Sequence, residues 1–278
     1  MGNVITDQEF QLLRDYIEKH CGISLDRNKM YLVESRLNTL MIENGCDDYT
    51  ALYRKASSDA TNALRDKIVD AMTTNETLWF RDSSPYESLK ELLATFGAEL
   101  RSGKRSKLRI WSAACSTGQE PYSIAITILE SATGGTGLRP EQVEIIATDI
   151  SSTALFMAKL GRYDAIAINR GLPPALRDRY FKPEGRVWAL SDKVKQMITL
   201  KKMNLQESYA QIGKCDIVFC RNVLIYFSET FKKDIFNRIA ALLRPSGYLF
   251  IGASESLSTY SNEFSMVKGN HGIYYQVK

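Results

Sequence analysis

The stretch Ile110-Trp111-Ser112-Ala113-Ala114-Cys115-Ser116-Thr117-Gly118-Gln119-Glu120-Pro121-Tyr122-Ser123 reads as a buried strand running through small residues and a glycine into a helix. Pro121 falls at the second or third helical position, where its fixed φ suits the first turn. In a doubly wound sheet, the first turn of this kind is where a nucleotide-like cofactor lies across the strand ends. The G-x-G-x-x-G spacing is missing, because Ala113 and Cys115 stand where the glycines would be. A pyrophosphate cradle needs close backbone approach, so the pattern favours a cofactor without phosphates. Taken alone, the turn is also compatible with a plain strand–helix connection.

Two further strand ends add to it. Glu144-Ile145-Ile146-Ala147-Thr148-Asp149 ends in an acid about 30 residues after Gly118, the arrangement in which a carboxylate accepts both hydroxyls of a ribose. A cap for the following helix is the competing role for Asp149. Cys215-Asp216-Ile217-Val218-Phe219-Cys220 is an apolar strand that delivers Arg221 and Asn222 to its tip, with Tyr226 one helical turn on. A strand that merely ends has little use for Arg and Asn followed by a new apolar run.

Outward from these segments, strands expected over 108–113, 143–148, 217–220 and 248–252 alternate with helices over 120–131, 152–160 and 228–243. That alternation implies an α/β fold with a mainly parallel, Rossmann-like sheet covered on both faces. Between Gly161 and Cys215, short strands over 187–190 and 197–202, with turn chemistry at Pro183-Glu184-Gly185, suggest a small inserted antiparallel β-subdomain spanning 162–202. Upstream, Phe10, Leu13, Tyr16 and Ile17 follow the capping-box pattern Thr6-Asp7-Gln8-Glu9 at helical spacing. Three more apolar periodicities continue to Met72. The expected organisation is therefore an all-helical domain over 1–75, a linker and helix over 76–107, and the α/β domain over 108–278.

Composition narrows the function classes. With 44% hydrophobic and 24% charged residues among 278, and no apolar run near the roughly 18–20 residues of a membrane span, the chain is read as an ordered, soluble protein. The N-terminus carries no basic stretch followed by an apolar one, so a cytoplasmic location is expected. Five cysteines without C-x-x-C spacing argue against disulfides and zinc. Two histidines, His20 and His271, leave no metal site and little room for a Ser/His/Asp triad; His20-Cys21-Gly22 reads as a helix end. Charge is uneven. Residues 159–214 hold 12 basic against 5 acidic side chains, a net of +7 that suits either a solvated face or an anionic partner.

These residues resemble the chemotaxis-receptor glutamate methyltransferases, the CheR family, which use S-adenosylmethionine. Five blocks carry the resemblance in order: 74–81 (Thr-Asn-Glu-Thr-Leu-Trp-Phe-Arg), 111–122, 147–150 (Ala-Thr-Asp-Ile), Asn204-Leu205, and 220–227 (Cys-Arg-Asn-Val-Leu-Ile-Tyr-Phe). The resemblance implies a methyltransferase domain over 108–278, S-adenosylmethionine as cofactor and S-adenosylhomocysteine as product. It implies a cofactor pocket lined by Asn75, Thr77, Arg81, Glu120, Asp149, Asn204, Leu205, Arg221 and Asn222, with Arg81 and Tyr226 nearest the methyl transfer. Gly118 joins the pocket as the glycine of the first turn. The implied partner is the cytoplasmic helical bundle of chemoreceptors, met by a monomer without nucleic acid, metal or membrane insertion. Of several arginines that members carry on the second N-terminal helix, this chain keeps Arg36, and its inserted hairpin over 182–189 is short.

The residue inventory suits this chemistry independently. A glutamate of pKa about 4.3 is already an anionic nucleophile at neutral pH, so scarce histidine is no obstacle. Arg81 suits a carboxylate in fork geometry, and Tyr226 can add a hydrogen bond. A degenerate fold that only binds the cofactor is disfavoured by Arg81, Asp149 and Tyr226 together. A nucleic-acid methyltransferase is disfavoured because the basic stretch has no stacking motif.

Overall fold

The computed structural model describes residues 4–278. Four helices come first: α1 (Asp7–Cys21), α2 (Met30–Glu43), α3 (Tyr49–Ser58) and α4 (Ala63–Met72). The expected capping box starts α1, and Gly22, at φ 75°, ends it by donating to the Glu18 carbonyl. Glu9 does more than cap. Its Oε2 accepts from the Thr6 N–H at 2.9 Å, while its Oε1 accepts from Tyr49 N–H at 2.9 Å and Thr50 N–H at 3.3 Å at the start of α3. Burial alone would raise this carboxyl, but the hydrogen bonds from Thr6, Thr50 and Tyr49 hold it below its ordinary value.

A group depressed in this way stabilises the fold above its unfolded pKa, and that stabilisation is lost as pH falls through the folded value. Glu9→Gln is therefore expected to lower unfolding free energy by about 1–3 kcal/mol at pH 7. The deficit should shrink below about pH 4, where the wild-type carboxyl is itself protonated. Urea unfolding of both proteins at the two pH values checks it; a deficit independent of pH would count against it.

The chain continues through α5 (Ser84–Arg101), β1 (Leu108–Ala113), α6 (Gln119–Thr133), β2 (Val143–Asp149) and α7 (Ser152–Leu160). An excursion follows: β3 (Arg162–Asp164), α8 (Ala165–Asn169), α9 (Pro174–Tyr180), β4 (Phe181–Glu184), β5 (Val187–Leu190) and α10 (Asp192–Lys195). The fold closes with β6 (Ile198–Lys202), β7 (Cys215–Cys220), α11 (Glu229–Leu242), β8 (Leu243–Phe250), β9 (Phe264–Lys268) and β10 (Ile273–Val277). The main sheet has the order β6-β2-β1-β7-β8-β10-β9. Strands β6 to β8 pair in parallel and β10 is antiparallel to both neighbours.

Alternation along the central strands divides two cores. Ile110, Ile217 and Phe219 face the layer of α5 and α6, while Trp111, Val218 and Cys220 face α11 and the N-terminal helices. This is how a sheet buried on both faces uses apolar strands. The N-terminal helices share the second core continuously, and they are tied over the strand ends. Asp70 accepts from the Thr153 hydroxyl at 2.8 Å, Asp66 pairs with Lys202 at 2.5 Å, and Ser24 N–H donates to the Tyr226 carbonyl at 2.9 Å.

One expectation needs correction. The strand at 198–202 is no part of the inserted subdomain: Ile198 pairs with Ile145, making β6 the parallel edge of the main sheet. An edge strand is paired and buried less than a central one, so its half-polar pattern looked like a hairpin. The antiparallel insertion is instead β3-β5-β4. The strands β9 and β10 lay outside the reading altogether. Part of the basic excess is also met from outside the stretch: Arg179 pairs with Glu130 at 2.6 Å, Lys202 with Asp66 at 2.5 Å, and Arg170 with Glu76.

Candidate functional site

Strand order reverses between β1 and β7, since β1 leads away to β2 and β6 while β7 starts the other half of the sheet. Ligands of open α/β sheets bind outside the carboxyl ends at such a switch point. A cleft lies here, walled by the loops after β1, β2 and β7, by the segment 73–78, and by Cys21 and Ile23 of the helical unit.

The β1–α6 turn winds around Asp149. Ala114 (φ 57°) and Ser116 (φ 51°) take left-handed conformations that cost non-glycine residues energy. Ser116 N–H donates to Asp149 Oδ2 at 2.7 Å, and Ser151 N–H to Oδ1 at 2.9 Å. The cap of α7 is Ser151, whose hydroxyl accepts from Ala154 N–H at 3.0 Å, so Asp149 is free of that duty. Each carboxylate oxygen keeps a lone pair for a further donor. Burial raises the Asp149 carboxyl, against the backbone donors that favour its ionised form.

Glu120 sits opposite in the first turn of α6, accepting from the Ser112 hydroxyl at 2.8 Å. Burial raises its carboxyl as well, against the nearby Arg221 charge. Arg221 is 5% exposed. It donates to Glu120 Oε2 at 3.1 Å, to Asp82 Oδ2 at 2.7 Å and to the Arg81 carbonyl at 2.8 Å. Its guanidinium is therefore occupied in holding the 81–82 segment against α6.

Arg81 is the contrast. Its guanidinium donates to the Glu76 carbonyl at 3.3 Å, and among the described residues no carboxylate lies within ion-pair distance of it. Half-buried Tyr226 shares the cleft, with Asn222 (φ 57°) one turn before it.

Of the residues singled out in the sequence, the cleft thus gathers Asn75, Thr77, Arg81, Glu120, Asp149, Arg221, Asn222 and Tyr226. It does not include three others. Gly118 turns away from it: a Cβ there would lie 2.8 Å from Tyr122 and 3.0 Å from Ala158, so its φ of 95° and its smallness serve the turn and the α6–α7 contact. Asn204 donates to the His20 carbonyl at 2.8 Å on a neighbouring depression that meets the cleft at Ile150. Leu205 is buried in the core. The reading missed Cys21 and Ile23, because nothing local tells a helix end that it will cover a cleft. It also missed Glu255, whose carboxylate accepts from the Asn222 and Leu224 N–H groups at 2.9 and 2.8 Å.

Comparison with known proteins agrees over the whole length. The model of the CheR methyltransferase SAM-binding domain matches residues 75–273, and that of the CheR all-alpha domain matches residues 8–73. The chain is 47% identical over 272 residues to the chemotaxis protein methyltransferase Cher2 of Pseudomonas putida, covering 97% of this chain and 98% of that one. It is 46% identical over 276 residues to a chemotaxis protein methyltransferase of Vibrio anguillarum, covering 99% and 98%.

Proposed function

Because the chain belongs to the CheR methyltransferase family, we propose that it methylates side-chain carboxylates of glutamates in the cytoplasmic helical bundle of chemoreceptors, leaving methyl esters. The observation that carries the substrate class is Arg81. Inside one cleft, Arg221 pairs with two carboxylates, while among the described residues none lies within ion-pair distance of Arg81, so a carboxylate from outside finds one guanidinium without an ion-pair partner.

The donor set suits S-adenosylmethionine. Asp149 offers a buried carboxylate for a ribose diol. The glycine-poor turn has no cradle for phosphates, and Ile23, Ile150, Val223 and Phe227 offer apolar walls. S-adenosylmethionine supplies, when bound, a methyl group activated by a sulfonium centre. Asn75, Thr77, Glu120, Asp149 and Asn222 are the residues assigned to hold it. Arg221 acts behind them by fixing the Arg81-Asp82 segment.

The remaining work belongs to positioning. The incoming glutamate is ionised, so no side chain has to remove a proton. Arg81 orients the carboxylate by its planar fork and Tyr226 adds a directional hydrogen bond. Alignment of this kind can lower a barrier by roughly 7–11 kcal/mol. Cys21, Ile23 and the 73–78 segment line the cleft beside these groups.

Labelled methyl transfer to a receptor cytoplasmic fragment tests the assignment through the product. Esters release volatile methanol in mild alkali; methylated amines and bases do not. Alkali-stable label on the fragment, or label on nucleic acid instead, would overturn it.

A further inference from the structure

Glu255 follows β8 in Gly252-Ala253-Ser254-Glu255 and belongs to none of the motifs that marked the site. One of its oxygens accepts from Gly252 N–H at 2.7 Å and Asn222 N–H at 2.9 Å; the other accepts from Leu224 N–H at 2.8 Å. A single carboxylate thereby fastens the loop after β7 to the loop after β8. The two loops meet without space for a side chain. A Cβ on Gly252 would stand 2.7 Å from Asn222 Nδ2, 2.8 Å from Glu255 Oε2 and 2.9 Å from Asn222 N. Asn222 is held there in the left-handed region at φ 57°, a conformation that persists only when its surroundings fix it. The fastened loop carries Asn222, Val223 and Tyr226 to the cleft wall.

We propose that Glu255 is a positioning residue for the reaction, setting through Asn222 and Tyr226 both the affinity for the cofactor and the rate of transfer. Charge-assisted hydrogen bonds to backbone N–H groups are short and strong, and three of them on one carboxylate leave the loop little freedom. The proposal rests on the function assigned above to the cleft, and its primary readout is binding.

Titration calorimetry of Glu255→Gln with S-adenosylhomocysteine tests it. Glutamine keeps the size and one acceptor but sets an amide NH2 against a backbone N–H. Affinity is expected to fall about tenfold at unchanged stoichiometry, the effect of one lost charge-assisted contact. Turnover at saturating S-adenosylmethionine and receptor fragment should fall with it, while KM for the fragment stays constant. A merely structural role would do the reverse: fewer competent molecules, hence lower stoichiometry, each with the original affinity. Wild-type affinity and turnover in this variant would overturn the proposal.

Gly252→Ala disturbs the same contact from the other side while removing no hydrogen-bonding group. The same loss is expected, and the double variant should lose less than the product of the two, because both act through one loop. If Glu255→Gln does not fold, Gly252→Ala decides alone, wild-type affinity there being the contrary result. A wild-type protein that binds neither S-adenosylmethionine nor S-adenosylhomocysteine would remove the proposed function and this role together; unaltered binding in the variants would remove only the latter.

Discussion

Replacing Arg81 by alanine is expected to lower kcat/KM for receptor methylation by roughly a hundredfold, about 2.7 kcal/mol of transition-state stabilisation, in the range for truncating one partner of a desolvated charge pair. The loss should fall more on turnover than on cofactor affinity. The thermal midpoint should hardly move, because the side chain's contact in the free protein is a 3.3 Å hydrogen bond to the Glu76 carbonyl. Arg81→Lys should recover only part of the rate, since an ammonium keeps the charge but not the planar fork. Steady-state kinetics alongside calorimetry separates these effects. Unchanged turnover in Arg81→Ala would remove the residue from the mechanism.

Arg221→Ala should behave in the opposite way. It strands Glu120, whose side chain is 12% exposed, beside the more exposed Asp82. Breaking a buried pair by removing one partner typically costs about 3–5 kcal/mol, so a comparable loss of unfolding free energy is expected. Because burial already raises the Glu120 carboxyl, losing the Arg221 charge raises it further. A group raised in the folded state is tolerated best when protonated, so the deficit should be smaller at pH 5 than at pH 7. Adding Glu120→Gln should restore part of the stability by removing the unpaired charge. Denaturant melts of the three proteins at both pH values provide the check. Equal deficits at both pH values, with no recovery in the double variant, would contradict this assignment.

The two arginines also mark what a sequence discloses about such a site. The β1–turn–α6 segment and the acid at the tip of β2 were legible because each is a local pattern: a strand's burial, a proline in a first helical turn, a carboxylate at a strand end. Arg221 was marked in the sequence by its place at the tip of an apolar strand and Arg81 by the 74–81 block, but neither position tells which guanidinium is already paired. What separates them is the company each finds across the fold, and Asp82 and Glu120 are distant in sequence from Arg221. A glycine in the first turn has two uses, and at Gly118 the structure displays the packing one, against Tyr122 and Ala158. Arg36, the arginine kept on the second helix, is likewise committed: it donates to the Met72 carbonyl at 2.6 Å and the Thr74 hydroxyl at 2.9 Å. For residues 159–214 the sequence counts the acids within the stretch but not those brought from elsewhere in the fold, such as Glu130 against Arg179 and Asp66 against Lys202. Glu255 left no signal, since an acid after a strand becomes a clamp only when two loops converge on it.

The dependence of single-turnover methyl transfer on pH tests the central claim most directly. If the nucleophile is a glutamate carboxylate held by Arg81 and no side chain acts as general base, the rate should be flat from about pH 6 to 9 and fall only as the carboxylate protonates near 4.3. A rate rising steadily through neutral pH would instead reveal an amine nucleophile or a general base, and would contradict the account.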